Sequence, residues 1–282
     1  MLDTENMFCD PDYPHDNIGK IEILLPSGGH ELNAMLLNAA GGGLRPVAIL
    51  LHGFPGNERN LDLAESLRAA GCHTLFFHYR GAWGSRGMFT FENVLEDAEN
   101  AVAFFKNPVN AAKYGIDPDL IFLVGHSMGG FAAITALAAR DDFCGAVAIA
   151  PYDFAAARAQ SENCPDFLEN YNAVVRCPLP PLRLEYEDVL HDELTRHMSD
   201  WQLPSKAAAL AGKQLCILAF DRDVVSQAAL HLDPLVAAYT PVMGDGFEVH
   251  RFDTDHGYNS RRYGVAKCVA TWIAKKCPVS AK

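Results

Sequence analysis

The chain has 282 residues, 23 basic and 35 acidic, for a formal net charge of −12. Hydrophobic residues make up 49% and charged residues 21%, which supports a sizeable core and excludes wholesale disorder. The acidic balance argues against a nucleic-acid protein, which needs a basic footprint, and against a polybasic membrane anchor.

No stretch approaches the roughly 20 apolar residues of a membrane span. The opening, MLDTENMFCD, has neither a basic n-region nor an apolar h-region, so no secretory signal is expected. The eight cysteines form no C-x-x-C pair. A reduced, cytoplasmic chain without a disulfide framework or a cysteine zinc site is the expectation.

The first 19 residues, with Pro11 and Pro14, read as an irregular lead-in. Residues 21–25 and 31–37 read as two strands joined by the turn Ser27-Gly28-Gly29, an antiparallel edge. Gly41-Gly42-Gly43 is a loop. Then short apolar runs alternate with helical segments. Strands are predicted over residues 46–51, 73–78, 120–124, 145–150, 214–220 and 247–252. Helices are predicted over 61–70, 91–105, 129–140, 227–238 and 263–275. Continuous apolar runs suit strands buried on both faces, and the alternation predicts an α/β fold with a mostly parallel sheet covered by helices on both sides. Residues 152–204 interrupt the rhythm with six prolines nearby, Pro151, Pro165, Pro178, Pro180, Pro181 and Pro204. Helices are expected over 153–172 and 186–197. The segment is too short and proline-broken to own a large core, so it reads as a lid inserted into one domain spanning 1–282.

Gly125-His126-Ser127-Met128-Gly129 is a G-x-S-x-G motif with a further glycine at Gly130. It follows a predicted strand and opens an apolar helix, the context of a nucleophile elbow. Such a turn leaves the Ser127 hydroxyl at a helix N-terminus, where free N–H groups favour a developing anion. An ordinary N-cap serine is the alternative, but capping requires no flanking glycines.

On these residues the chain resembles the α/β-hydrolase superfamily, its serine esterase and prolyl-oligopeptidase-like branch, from about Ile21 to Trp272. The resemblance implies Ser127 as nucleophile, followed in chain order by an acid and a histidine. His256 stands in Asp253-Thr254-Asp255-His256-Gly257, between the last strand and the last helix, and is similar to the family's catalytic-histidine loop. A histidine side chain in such a loop suits a general base that takes the serine proton and later protonates the leaving group. Asp223 fits the family's acid position, after the strand 214–220 and before Val224-Val225. Asp221, two residues earlier, remains open, and Asp153 is a third place from which some members take the acid. Asp255 adjoins His256 and is discounted because loop neighbours project apart.

His52-Gly53-Phe54-Pro55-Gly56 resembles the family's H-G-x-P-G oxyanion loop, which implies that the backbone N–H groups of Phe54 and Met128 face the tetrahedral oxygen. The segment from Arg80 to Gly87 is similar to the R-G-x-G-x-S loop of many members; Arg80 is expected to organise loops. Trp83 and Tyr152 are candidate substrate contacts. No metal or organic cofactor is expected, and His191 and His197, six apart, do not form H-E-x-x-H.

The resemblance thus implies a serine hydrolase acting on carboxylic esters of small to medium acyl compounds through an acyl-enzyme. The serine separates it from relatives with an aspartate nucleophile. A serine peptidase or acyl-aminoacyl hydrolase is the alternative; it would use insert carboxylates such as Glu162, Asp166, Glu169, Glu185, Glu187 and Glu193 to hold a substrate amine, although such acids are usually a solvated face. A non-catalytic ligand-binding protein on the same fold would show a broken triad. The partner expected is a small-molecule acyl substrate.

Overall fold

The computed structural model describes residues 2–9, 19–40, 42–176 and 180–277. Much of the predicted lead-in, with Pro11 and Pro14, and Gly41, Cys177 and Pro178 lie outside them.

Eight strands form one sheet: β1 (Gly19–Ser27), β2 (His30–Asn38), β3 (Arg45–Leu51), β4 (His73–Phe77), β5 (Ile116–His126), β6 (Gly145–Ile149), β7 (Leu215–Phe220) and β8 (Phe247–Phe252). Their order is β1-β2-β4-β3-β5-β6-β7-β8. β2 is antiparallel to both neighbours, β1 and β4. All other pairs are parallel. The expected antiparallel edge and parallel body are therefore present. Strands β4, β6 and β7 are buried at every position, which is why they read as unbroken apolar runs.

Apolar clusters lie on both faces of the sheet. One is built on α2 (Phe91–Lys106) and α4 (Met128–Ala139), the other on α1 (Leu61–Ala69) and α10 (Arg262–Lys276). The Thr90 hydroxyl caps α2 by accepting from Asn93 N–H. Pro108 follows the end of α2 and opens a further helix, α3 (Pro108–Tyr114), whose N-cap Asn107 accepts from Val109 and Asn110 N–H. Proline at the first turn sacrifices no helical hydrogen bond.

Between β6 and β7 lie α5 (Phe154–Asn163), α6 (Pro165–Val175), α7 (Val189–Arg196) and a 3₁₀ helix (Leu203–Leu210). The single helix expected over 153–172 is two, because Cys164 before Pro165 is extended. The helix expected over 227–238 is likewise α8 (Ala228–His231) and α9 (Asp233–Met243), with Pro234 in the first turn of α9. Among the described residues no helix is long and apolar enough to cross a membrane.

The Arg80 loop has the organising role expected of it. Arg80 donates from its backbone N–H and from Nε to the buried Asp97 carboxylate on α2, at 2.8 and 2.7 Å. Ser27 at the end of β1 donates to the same carboxylate. A Cβ on Gly28 would lie 2.0 Å from the Arg80 guanidinium, so this turn packs directly on the ion pair.

Candidate active site

Ligand sites in parallel sheets form where the chain leaves the carboxyl ends of the strands. Here β3, β5, β7 and β8 lead into the loops that carry His52–Gly56, Ser127, Asp223 and His256. Four segments distant in sequence are thereby gathered at one end of the sheet.

Ser127 joins β5 to α4 at φ 56° and ψ −115°. A positive φ is uncommon in a residue with a Cβ and marks a strained turn. Its side chain makes no capping hydrogen bond, so the N-cap alternative fails. The surrounding glycines are required sterically: a Cβ on Gly125 would lie 1.9 Å from Gly129 O, and one on Gly129 would lie 1.9 Å from Leu51 O. Gly130 similarly lets Pro151 approach. The turn is held from outside by Ser127 N–H donating to Ile149 O and Tyr152 N–H donating to Ser127 O.

His256 Nδ1 donates to Asp223 Oδ2 at 2.7 Å. The other oxygen, Oδ1, accepts from Val225 N–H at 2.8 Å and Ser226 N–H at 2.7 Å. Burial opposes charge on Asp223, but the His256 bond and these two amides outweigh it and hold its pKa below the ordinary carboxylate value. Asp221 is turned away and pairs with Arg251, both side chains being about half exposed. Asp153 caps α5 through Ala156 N–H and accepts from Leu203 N–H with its second oxygen. Asp255 accepts from Asn259. Of the four aspartates weighed from sequence, Asp223 is the one bonded to His256.

The loop after β3 approaches the elbow through Gly53, where a Cβ would lie 3.2 Å from Ser127 Cβ. His52 Nδ1–H donates to Gly53 O at 2.7 Å, and burial lowers its pKa to about 4, keeping the ring neutral. Phe54 packs against Phe89 and Phe91, both at 5.8 Å. Met128 begins α4, where an N–H has no partner within the helix.

The sequence model of the alpha/beta hydrolase family matches residues 48–272. The chain belongs to this family.

No curated protein matches it significantly. In structure, this alpha/beta hydrolase is similar to a Pyrococcus furiosus esterase at 15% identity, with a TM-score of 0.64 over 94% of this chain and 96% of the other. It is similar to Est1E from Butyrivibrio proteoclasticus, solved with ferulic acid bound, at 18% identity, a TM-score of 0.68, and coverage of 90% and 98%. A Pyrobaculum calidifontis esterase gives 16%, 0.67, 91% and 85%. At these identities the likeness establishes the fold.

The two candidate substrate contacts of this hydrolase differ in setting. Trp83 Nε1 donates to Pro55 O at 2.8 Å, and its ring stacks on His78 at 5.9 Å. It also packs against Gly56, where a Cβ would lie 2.6 Å from Nε1. Trp83 therefore buttresses the loop after β3. Tyr152 is the neighbour of the elbow: its ring stacks on His231 at 4.4 Å and meets Phe154 edge-on at 4.9 Å.

Two further groups escaped the sequence reading. Glu193 on α7, counted among solvated acids, is fully buried and accepts from Phe91 and Glu92 N–H, both at 2.7 Å. It thus satisfies free donors at the N-terminus of α2 and pins the insert there. His197 joins the same contact, with Nε2 2.5 Å from Glu92 and Nδ1 2.9 Å from Asp200, its ring stacked on Trp201 at 4.2 Å. Trp201 in turn meets Phe131 of α4 at 5.6 Å. Thr90 is of a residue type suited to an N-cap, but nothing local marks a partner about a hundred residues away.

Proposed function

We propose that this alpha/beta hydrolase is a serine esterase acting on small to medium acyl substrates through an acyl-enzyme. The observation that carries this reading is the 2.7 Å bond from His256 Nδ1 to Asp223, at the same end of the sheet as a positive-φ serine without a capping bond.

The proposed chemistry follows from the tautomer. With Nδ1–H donated to Asp223, His256 Nε2 is the free base. It takes the Ser127 proton as Oγ attacks the ester carbonyl, and the carbonyl π electrons move to oxygen. Phe54 and Met128 N–H donate to that oxyanion, and one such donor is typically worth about 3 kcal/mol in the transition state. The imidazolium then protonates the departing alkoxide. Water, deprotonated by His256, repeats the attack on the acyl-enzyme and restores Ser127 with release of the acid. Residues 152–204 serve as the lid over this site. Among the insert acids that a peptidase would need, Glu193 is committed to α2 and Glu162 pairs with Arg158 at 3.0 Å, which weakens the peptidase alternative.

Hydrolysis of p-nitrophenyl esters from acetate to decanoate, by wild type and Ser127→Ala, tests the proposal. Turnover that disappears in the variant supports it, and the chain-length optimum sizes the acyl pocket. Full activity in Ser127→Ala overturns it. Absence of both turnover and labelling by a fluorophosphonate brings the ligand-binding reading forward.

A further inference from the structure

His126, the variable residue before the serine in G-x-S-x-G, is nearly fully buried, and its imidazole is bonded rather than idle. Its Nε2–H donates 2.9 Å to the backbone oxygen of His256, across 130 residues of chain. The acceptor is the carbonyl of the residue whose side chain is bonded to Asp223. A carbonyl can only accept, so the Nε2 atom of His126 carries the proton and Nδ1 is bare. Nδ1 is buried and has no partner among the described residues. Burial lowers the pKa of His126 to about 4, with a contribution from the nearby His256, so this single neutral tautomer persists near neutral pH.

The ring also touches the third loop of the site. A Cβ on Gly53 would lie 3.5 Å from His126 Nδ1, as well as 3.2 Å from Ser127 Cβ. On its remaining sides the ring faces His256 at 4.9 Å and the edge of Tyr258 at 5.7 Å. Tyr258 donates to Asn60 ahead of α1, and Asn60 also accepts from Arg262 at 3.5 Å. One imidazole thus lies between the elbow, the loop after β3 and the loop after β8.

We propose that His126 is a positioning residue: its bond to the His256 carbonyl fixes the height of the histidine loop above the serine elbow. The inference rests on the serine-esterase reading above. His256 then has two anchors, its own carbonyl on His126 and its Nδ1 on Asp223, and together they direct Nε2 towards Ser127. With one anchor removed, the loop at Gly257 can shift, and a displacement of about 1 Å in a reacting group can cost on the order of 100-fold in rate.

The test compares wild type with His126→Phe, His126→Gln and His126→Asn in p-nitrophenyl butyrate kinetics, fluorophosphonate labelling and thermal melting. Phenylalanine keeps an aromatic ring without a donor. Glutamine places an amide N–H near the former Nε2, and asparagine falls one methylene short. The expected result is a kcat for His126→Phe lower by about 10- to 100-fold with KM within about twofold, and serine labelling slowed in parallel. His126→Gln recovers most of the loss and His126→Asn does not. If the phenylalanine variant does not fold, the glutamine–asparagine comparison decides. A wild type that labels normally, with glutamine and asparagine variants reacting equally, overturns this inference alone. A wild type that neither turns over esters nor labels overturns the esterase reading and this inference with it.

Discussion

Replacing Asp223 by asparagine separates the hydrogen-bonding role of this residue from its charge. Oδ1 accepts two backbone N–H groups, from Val225 and Ser226, at 2.8 and 2.7 Å. In Asp223→Asn the amide oxygen must stay at that position, since an NH2 group there would face two donors. The NH2 group therefore takes the place of Oδ2, 2.7 Å from His256 Nδ1 in the wild type. A donor facing Nδ1 forces the proton onto Nε2, and the histidine can no longer take the serine proton. The loss expected from such a wrong tautomer is about 10⁴-fold in kcat, or about 5 kcal/mol in the barrier. Stability should change little, because both backbone bonds survive. Asp221→Asn is the control: it removes a half-exposed ion pair with Arg251, worth about 0–1 kcal/mol, and leaves turnover unchanged. Ester kinetics and thermal melts of both variants measure this directly. Activity of Asp223→Asn within about tenfold of wild type, or an equal loss in Asp221→Asn, would refute the tautomer argument.

Glu193→Ala strands two N–H groups at the start of α2 beneath the insert, and should cost about 1–3 kcal/mol in chemical denaturation; an unchanged midpoint would contradict the anchoring role. For His197, burial alone would lower the pKa, but the bonds to Asp200 and Glu92 outweigh it and raise the value. Arg196 also approaches Glu92, at 4.0 Å, and Lys206 acts on Asp200. A raised folded-state pKa stabilises below the unfolded value of about 6.5 and is lost as pH rises through the folded one. His197→Gln should therefore lower the melting temperature more at about pH 5.5 than at about pH 9, and equal losses would count against the contact. His52, His126 and His231 are buried with pKa values of about 4. Their unfolded forms bind protons first as pH falls below about 6.5, so each removes up to about 1.4 kcal/mol per pH unit down to about 4. Denaturant midpoints should fall steeply between about pH 6.5 and 4, and a flat profile would mean the rings accept protons in the folded state.

The fold was legible because strands buried on both faces have to be apolar throughout. The end of β5 was equally legible, since the glycines around Ser127 are demanded by backbone contacts that no larger residue permits. The candidate acid was legible only as a preference for Asp223 over Asp221, because the two stand two residues apart after the same strand. What separates them is the turn in which Asp223 binds Val225 and Ser226, while Asp221 N–H continues the β ladder to Phe252 O. Helix breaks at Cys164 and Leu232 were concealed by helix-forming neighbours on both sides of a proline. Glu193 and His126 were hidden for another reason. Each is explained by a backbone group more than a hundred residues away, and local pattern carries no trace of it.

The Asp153 carboxylate has a consequence for how this scaffold can change. It binds Ala156 N–H at one end of the insert and Leu203 N–H at the other, so about fifty residues leave and re-enter the body through one neck. β6 and β7 pair directly beside that neck and do not depend on the length of chain beyond it. Doubling a loop adds only about 0.6 kcal/mol of closure entropy. The segment can thus be exchanged as a cassette, provided that a replacement keeps the two ends at Asp153, covers Phe131 and supplies an acceptor for α2. Ser127, Asp223 and His256, all carried by strands outside the cassette, would hold their relative positions through such an exchange.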